Sequence, residues 1–269
     1  MDLIGNYETK PFTKSRKNTV EILRENEKKH SAYGLIELDV TNARNIIEKF
    51  KETNSTKISF TGWFIKCVAK AISKHKELNA YRLGSNKLVI FDDVDILIYI
   101  EREIKDEHRP LVYIIRKANE KSVLEITNEI RSAQIEKVEP SSQFLGKKLT
   151  SSERLVLKTP SFFQRFILWL FRRNGVLKKK YLGTVGVTAI GMIGEFKGWA
   201  VPIGGIVATF ISIGGITKKP GVIKNKIEIR EYLHVTICSD HAIVDGGPTT
   251  RFVETLSKLV ENGYGLPKK

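Results

Sequence analysis

The chain has 269 residues, and its 45 lysines and arginines against 30 aspartates and glutamates give a formal charge of +15. This length fits one large domain or two small ones, and a hydrophobic content of 41% is enough for a real core. The positive charge favours anionic partners, namely nucleic acid, an anionic membrane, a phosphorylated cofactor or an acidic protein, unless the lysines only keep helix faces solvated.

The two cysteines, Cys67 and Cys238, have neither metal-ligand spacing nor the spacing of a redox pair. Both lie in apolar, periodic segments, which is typical of free, buried thiols in a reducing cytoplasm. The chain does not open with the basic start and apolar run of a signal peptide. We therefore expect a cytoplasmic protein without a metal site.

An uncharged segment, 198–217, is long enough to raise the question of a membrane span. It contains Pro202 and the glycine pairs 204–205 and 214–215, and β-branched residues dominate its middle. These features favour a turn followed by a fully buried strand over a membrane helix.

In chain order, the apolar pattern mixes helices and strands without a repeat and without strict alternation. Apolar residues at three- and four-residue spacing predict helices over 16–29, 41–51, 58–76, 120–135, 162–173 and from about 248 onward. Apolar or alternating runs predict strands over 33–40, 94–100, 111–115, 184–188, 206–213 and 232–238. Turns are predicted at Gly84-Ser85-Asn86, between short strands, and at Lys218-Lys219-Pro220-Gly221.

The segment 136–180 differs in character from the rest of the chain. It begins polar and serine-rich, and it then contains a short, very apolar helix over 162–171 with basic flanks. The helix is too short to span a bilayer, so it could lie on an anionic membrane surface, cover a channel mouth or pack against another subunit. We favour packing, because aromatic residues at helical spacing are more often core than membrane anchor.

Five histidines occur, and four of them have an ordinary context. Three lie among charged residues, which predicts solvated side chains: His30, His75 and His108. His234 lies in the last predicted strand and alternates with Leu233 and Val235, so we expect it on the side opposite the apolar set.

The fifth histidine, His241, follows the strand 232–238 and precedes the last helix. Asp245 lies four residues further on, and Gly246-Gly247-Pro248 places a glycine turn at the strand-to-helix junction. A histidine held rigidly at a strand end, beside an acid, has the setting that a general base requires. A lone His-x-x-x-Asp is weak evidence, and the glycines at this junction strengthen it.

The run Asp240-His241-x-x-x-Asp245-Gly246 near the C-terminus resembles the acyltransferase catalytic domains of 2-oxo acid dehydrogenase complexes. Three further parts of the chain are similar to that family, namely 64–71 with Asn79, 109–118 and 185–191. The resemblance covers roughly 11–266, apart from 136–180. It implies the fold of chloramphenicol acetyltransferase, an α/β fold in which helices flank a mixed sheet.

The resemblance also implies roles for four residues. His241 matches the base that takes the proton from a thiol, and Thr188 matches the hydroxyl that donates a hydrogen bond to the tetrahedral oxyanion. Asp245 matches an acidic position that is structural in the family and pairs with an arginine, for which Arg16 is the best candidate here. The residues alone leave other interpretations open, since Thr188 could be an ordinary strand residue and Asp245 an acid at a helix N-terminus.

Two departures from the family pattern qualify this interpretation. The family often has arginine directly after the catalytic histidine, where this chain has Ala242, and the segment 136–180 replaces a shorter connection. We expect 1–269 to be a single acyltransferase domain with an atypical insertion at about 136–180. Because no lipoyl domain, subunit-binding domain or Ala/Pro-rich linker precedes it, we expect a stand-alone enzyme or one that uses a separate carrier.

The leading hypothesis is a transfer of acyl groups between coenzyme A and a second thiol, hydroxyl or amine, with a lipoyl group on a separate protein as one acceptor. By resemblance we expect a homotrimer whose active sites lie between subunits. The alternative is a non-catalytic scaffold that keeps the fold, which the altered residue after His241 and the insertion favour. Nucleic-acid binding has only the charge in its favour, since no recognised motif or aromatic interleaving is present.

Overall fold

The computed structural model describes residues 3–104, 107–136, 159, 161–192, 196–203 and 206–267. Within them the helices are α1 (Lys14–Asn26), α2 (Thr41–Thr53), α3 (Phe60–Lys74), α4 (Val123–Ile135), α5 (Ser161–Arg173), α6 (Gly175–Leu182) and α7 (Gly246–Glu261). The strands are β1 (Ser31–Asp39), β2 (Ala80–Leu83), β3 (Lys87–Ile90), β4 (Ile96–Ile104), β5 (Glu107–Ile115), β6 (Val185–Ala189), β7 (Thr209–Ile223) and β8 (Lys226–Asp240). Two short 3₁₀ helices cover Lys76–Asn79 and Ile190–Met192.

Six of the strands form one mixed sheet in the order β1-β8-β7-β6-β4-β5. β6 runs parallel to both of its neighbours, β4 and β7, and the other neighbouring pairs are antiparallel. β2 and β3 form a separate hairpin around the predicted turn at Gly84. The pairing of Ser31 with Asp240 places the start of β1 beside the end of β8, which is the edge where His241 lies.

The main core lies between the sheet and the helix α3. This helix begins after Ser59, whose hydroxyl accepts a hydrogen bond from the Gly62 N–H at 3.2 Å. Trp63 and Phe64 are fully buried and share one core with alternate residues of the central strands β7 and β8. Each such side chain stabilises the fold by about 1.5–3 kcal/mol on burial. The predicted mixed sheet flanked by helices is therefore confirmed.

The predicted turn at Lys218–Gly221 is wrong. Pro220 lies within β7, opposite Ile229 of β8, and the hairpin turn falls at Lys224 and Asn225, whose φ angles are 47° and 62°. β7 extends beyond the end of β6, which pairs only as far as Ile213, so among the described residues this part of β7 has no strand on its other side. A proline is tolerated there because its missing N–H costs no ladder bond on a free edge.

The helix α5 packs on α1 of the same chain. Arg165 donates from Nε and Nη2 to the carboxylate of Glu21 at 2.8 and 3.0 Å, and Arg172 Nη1 lies 3.6 Å from Glu25 Oε2. Hydrogen bonding from Arg165 is the largest cause that lowers the pKa of the buried Glu21. Phe162 and Phe166 of α5 are exposed. None of the helices in the described ranges is long and apolar enough to cross a membrane.

The helix α6 was not predicted, because its run of three lysines lacks a clear apolar face. Asn174 caps its start by accepting from the Leu177 N–H at 3.0 Å. Gly175 lies against the β2–β3 hairpin, where an added Cβ would be 2.5 Å from Cβ of Tyr81. The glycine thus allows α6 to approach the hairpin closely.

Candidate active site

His241 lies in a tight turn directly after β8. Its N–H donates to the carbonyl oxygen of His30 at 2.8 Å, which extends the β1–β8 ladder by one bond. The carbonyl oxygen of Asp240 accepts from the N–H groups of Ile243 and Val244 at 2.9 and 3.1 Å, and its Oδ1 accepts from the Ala242 N–H at 3.2 Å. The backbone on both sides of His241 is therefore fixed, as the strand-to-helix junction in the sequence predicts.

Asp245 is the residue that the structure brings next to the imidazole. Its Oδ1 lies 3.7 Å from Nδ1 of His241, and the two side chains are 85% and 55% exposed. Asp245 is also the N-cap of α7, but its side chain makes no capping hydrogen bond. Its carboxylate is thus available to the imidazole, which leaves Nε2 as the nitrogen directed away from the acid.

Arg16 and Asp245 do not meet within this chain. Arg16 is exposed in the first turn of α1, where its N–H donates to Thr13 Oγ1 at 3.3 Å. Among the described ion pairs, the one that includes Asp245 is its pair with His241. The predicted pair of Arg16 with Asp245 is not formed inside one subunit, because Asp245 faces the His241 turn instead. A pair between subunits stays a prediction.

Thr188 is half-buried in β6 and lies opposite Ser212 of β7, which lies opposite Thr236 of β8. Thr236 precedes His241 by five residues, which at about 3.3 Å per residue is about 16 Å along the strand. Two strand spacings of about 4.8 Å separate β6 from β8. The structure therefore does not bring Thr188 and His241 into contact within one chain.

A row of hydroxyls crosses three neighbouring strands at this level. The Ser212 Oγ and Thr236 Oγ1 atoms are buried and have no hydrogen-bond partner among the described residues. An unsatisfied buried hydroxyl costs about 1–3 kcal/mol. Thr188 is thus the half-buried end of a polar row. Ser212 and Thr236 were missed in the sequence because each is a single small polar residue in an apolar strand.

Two lysines hold the segment before β7 against the His241 turn. Lys29 Nζ donates to the carbonyl oxygen of Val207 at 2.7 Å, and Lys178 Nζ donates to that of Ile206 at 3.4 Å. The next carbonyl oxygen, of Ala208, accepts from the Asp240 N–H at 2.9 Å. Burial is the main cause of the lowered pKa of both lysines, and the pKa of Lys178 falls to about 8.

Neither lysine stands out in the sequence, because each belongs to a run of charged residues that is typical of a solvated surface. Their burial follows from tertiary packing, and no periodicity signals it. Nearby Lys29 and Arg172 lower the pKa of Lys178 further, and Asp240 and Glu25 oppose them.

The other histidines have structural contacts. His234 is buried, with Nδ1 2.8 Å from the Gly215 carbonyl oxygen, Nε2 3.2 Å from Glu37 Oε1 and its ring edge-on to Trp199. His75 is half-buried with Nε2 2.7 Å from Thr255 Oγ1, so its predicted solvation is wrong, because α7 packs over the end of α3. His30 is exposed as predicted, and the side chain of His108 lies outside the described residues.

Cys67 and Cys238 are free and buried, as predicted. Burial raises the pKa of the Cys67 thiol, which disfavours the nucleophilic thiolate. In the part of the chain that the structure describes, no three His, Cys, Asp or Glu side chains are grouped as metal ligands would be.

The chain is similar to proteins of known families. A family model described as 2-oxoacid dehydrogenases acyltransferase (catalytic domain) matches residues 4–142 and 173–266. The lipoamide acyltransferase component of the branched-chain alpha-keto acid dehydrogenase complex from Bacillus subtilis is 25% identical over 238 residues, which is 86% of this chain and 46% of that protein. The dihydrolipoyllysine-residue acetyltransferase component of the pyruvate dehydrogenase complex from Mycoplasma genitalium is 28% identical over 211 residues, 77% of this chain and 44% of that protein.

The chain thus spans slightly less than half the length of these two relatives. Among solved structures, the dihydrolipoamide acetyltransferase of Azotobacter vinelandii superposes with a TM-score of 0.70 at 18% identity, covering 97% of this chain and 94% of that one. A chloramphenicol acetyltransferase superposes with a TM-score of 0.50 at 14% identity, covering 95% and 96%. These likenesses confirm the predicted fold.

Proposed function

Because the chain belongs to the 2-oxoacid dehydrogenase acyltransferase (catalytic domain) family, we propose that it transfers an acyl group between coenzyme A and a second thiol. The observation that carries this proposal is the fixed turn at His241, where the imidazole projects from the end of β8 with Nδ1 towards Asp245. Two relatives are named for lipoamide and dihydrolipoyllysine substrates, so the second thiol in this proposal is a lipoyl thiol on a carrier protein.

In the forward step, Nε2 of His241 takes the proton of the attacking thiol. The sulfur forms a bond to the thioester carbonyl carbon, and the carbonyl oxygen becomes the oxyanion of a tetrahedral intermediate. The bond to the leaving sulfur then breaks, and the imidazolium returns the proton to that sulfur. A free thiol has a pKa of about 8.5, so an imidazole near neutrality is a sufficient base.

Thr188 is the proposed donor to the oxyanion, and it acts from a neighbouring subunit. Two observations support this arrangement, namely the separation of Thr188 from His241 within one chain and the 55% exposure of His241. Both features are expected of an active site that lies between two subunits of a trimer and takes residues from each. A hydrogen-bond donor to an oxyanion contributes about 3 kcal/mol, or about 10²–10³ in rate.

The residue types investigated in a solved relative are compatible with these roles. The Azotobacter vinelandii structure belongs to an investigation of a serine, a histidine and an asparagine in catalysis, and that histidine and asparagine have the same four-residue spacing as His241 and Asp245. In our proposal Thr188 supplies the hydroxyl and Asp245 holds the imidazole. The two free cysteines fit a reducing compartment, and we place the protein in the cytoplasm.

The test is acyl exchange between dihydrolipoamide and acetyl-CoA, succinyl-CoA or a branched acyl-CoA, followed as free CoA. We expect turnover by the wild-type protein, a loss of about 10³ or more in His241→Ala, and no loss in Lys258→Ala, on the exposed face of α7. Undiminished turnover in His241→Ala contradicts the proposed base. Absence of turnover by the wild-type protein with every pair favours a scaffold that keeps the fold without the chemistry.

A further inference from the structure

A pocket of about 260 Å³ lies where the end of α5 meets the β2–β3 hairpin. We call it the basic pocket, and the residues that line it are Lys28, Arg82, Gly84, Ser85, Arg172 and Arg173. Arg172 lies in the segment 143–172 that the family model leaves unmatched, and the other lining residues lie in its matched ranges, 4–142 and 173–266. The pocket therefore forms where the unmatched segment meets the matched part of the chain.

Positive charge exceeds negative charge around the basic pocket. Glu25 is the nearby acid, and it already pairs with both Lys28 and Arg172. Arg82 and Arg173 form no ion pair with the residues that the structure describes. Arg82 Nη2 has only a long 3.5 Å contact to the Ser85 carbonyl oxygen, and the Arg173 guanidinium lies 4.8 Å from the centre of the Trp169 ring.

The fold holds these cations together. The Gly84 N–H donates to the Arg173 carbonyl oxygen at 2.7 Å, and a β-bridge joins Leu83 to Asn174. The hairpin and the end of α5 are thus bonded to each other through the backbone groups of adjacent residues. Like charges repel, so a structure that fixes them at short range is stabilised when an anion binds between them.

We propose that the basic pocket binds a phosphate group. Guanidinium groups present planar pairs of donors that match phosphate oxygens. Arg82 and Arg173, which form no ion pair with any described residue, provide two such forks from different elements. The volume is below the roughly 300–1,000 Å³ of pockets that hold whole ligands, so it suits one phosphate or diphosphate rather than an entire nucleotide.

The phosphate has two chemical sources that the structure supports. Lys28 is two residues from His30, whose carbonyl oxygen binds the His241 N–H, so a soluble phosphorylated substrate is one source. Phe166 and Trp169 of α5 are partly exposed beside Arg173, so the head group of an anionic lipid is the other. The pocket's affinity for phosphate does not depend on the proposed acyl transfer.

The experiment is isothermal titration of the wild-type protein with pyrophosphate. We expect binding that the double variant Arg82→Gln/Arg173→Gln weakens by at least about thirty-fold, since each charge-assisted contact is worth about ten-fold or more. The control Lys49→Gln/Lys57→Gln removes two exposed lysines of the same charge elsewhere and is expected to bind as the wild type. A thermal melt of the double variant, with the single variant Arg82→Gln as a milder change, checks that folding is intact.

Equal affinity in the double variant and the wild type, or no binding of pyrophosphate at all, overturns the proposal. Competition then separates the two sources. Displacement of pyrophosphate by coenzyme A but not by pantetheine, which lacks phosphate, assigns the pocket to a soluble phosphate. Displacement by vesicles that contain phosphatidylglycerol but not by phosphatidylcholine vesicles assigns it to a lipid head group.

Discussion

Oδ1 of Asp245 lies 3.7 Å from Nδ1 of His241, and both side chains are largely exposed. An exposed pair of this kind is worth only about 0.2–1 kcal/mol. In our proposal the acid therefore orients the imidazole rather than supplying a large share of the rate, and His241 alone transfers the proton.

Asp245→Ala is accordingly expected to lower kcat of acyl exchange by no more than about ten-fold, because about 1 kcal/mol corresponds to about five-fold. Asp245→Asn is expected to lose less, since the amide keeps a polar oxygen at the same distance. The measurement is CoA release at saturating substrate, with His241→Ala in parallel. A loss in Asp245→Ala as large as that in His241→Ala contradicts an orienting role.

Thr188 and His241 are about 16 Å apart along the strand direction and two strands apart in the sheet. If they meet across subunits, Thr188→Ala and His241→Ala inactivate different halves of the same site. Random mixed trimers of the two variants are then expected to recover about one quarter of wild-type activity, since half of the subunits contribute each intact group.

The measurement is activity after co-expression or joint refolding of the two variants, with each variant alone as the control. Thr188→Ser keeps the hydroxyl and is expected to remain active. No recovery on mixing, with trimers confirmed by light scattering, contradicts a site shared between subunits.

The ion pair of Glu21 with Arg165 couples the insertion to α1. Glu21→Gln is expected to lower the free energy of unfolding at pH 7 by about 1 kcal/mol, because the partly exposed Arg165 guanidinium loses its bidentate pairing with a buried carboxylate. The pKa of Glu21 is lowered below its ordinary value of 4.5, chiefly by hydrogen bonding from Arg165. Its contribution is therefore complete above that value and is lost as the pH falls below it.

Chemical unfolding between pH 7 and about pH 3, at fixed protein concentration, measures this difference. The gap between wild type and Glu21→Gln is expected to close at the acid end. Glu48→Gln, which removes an exposed partner of Lys51, serves as the control and is expected to change little at either pH. A gap that stays constant with pH contradicts the assigned ion pair.

The sequence was sufficient to predict the helices and strands with strong periodicity and the turn at His241. α3 and β8 were predicted because their apolar residues repeat at the helical and strand periods over many residues. The long β7–β8 ribbon was not predicted, because Pro220 and Gly221 are local turn signals. They are tolerated in β7 because, among the described residues, this part of the strand pairs only with β8.

The surroundings of the candidate site were harder to predict than its central histidine. Lys29 and Lys178 come from segments far apart in the chain. The pairing of β1 with β8 brings Lys29 beside the His241 turn, and the packing of α6 on the hairpin brings Lys178 there. The same holds for the basic pocket, whose arginines come from β2 and α5. Such clusters depend on tertiary contacts that leave no local pattern in the residues themselves.

Gly175 determines how closely α6 can approach the hairpin. A Cβ at this position would lie 2.5 Å from Cβ of Tyr81 and 2.9 Å from the carbonyl oxygen of Arg82, and neither the buried tyrosine nor the backbone can yield easily. Gly175→Ala is therefore expected to destabilise the protein by about 1–3 kcal/mol and to displace Arg173 from the basic pocket. Gly34→Ala is the matched control, because a Cβ there meets nothing within 4 Å, and we expect a change within about 0.5 kcal/mol. Chemical unfolding of the two variants at one protein concentration measures both, and equal stability of the two contradicts the close contact between α6 and the hairpin.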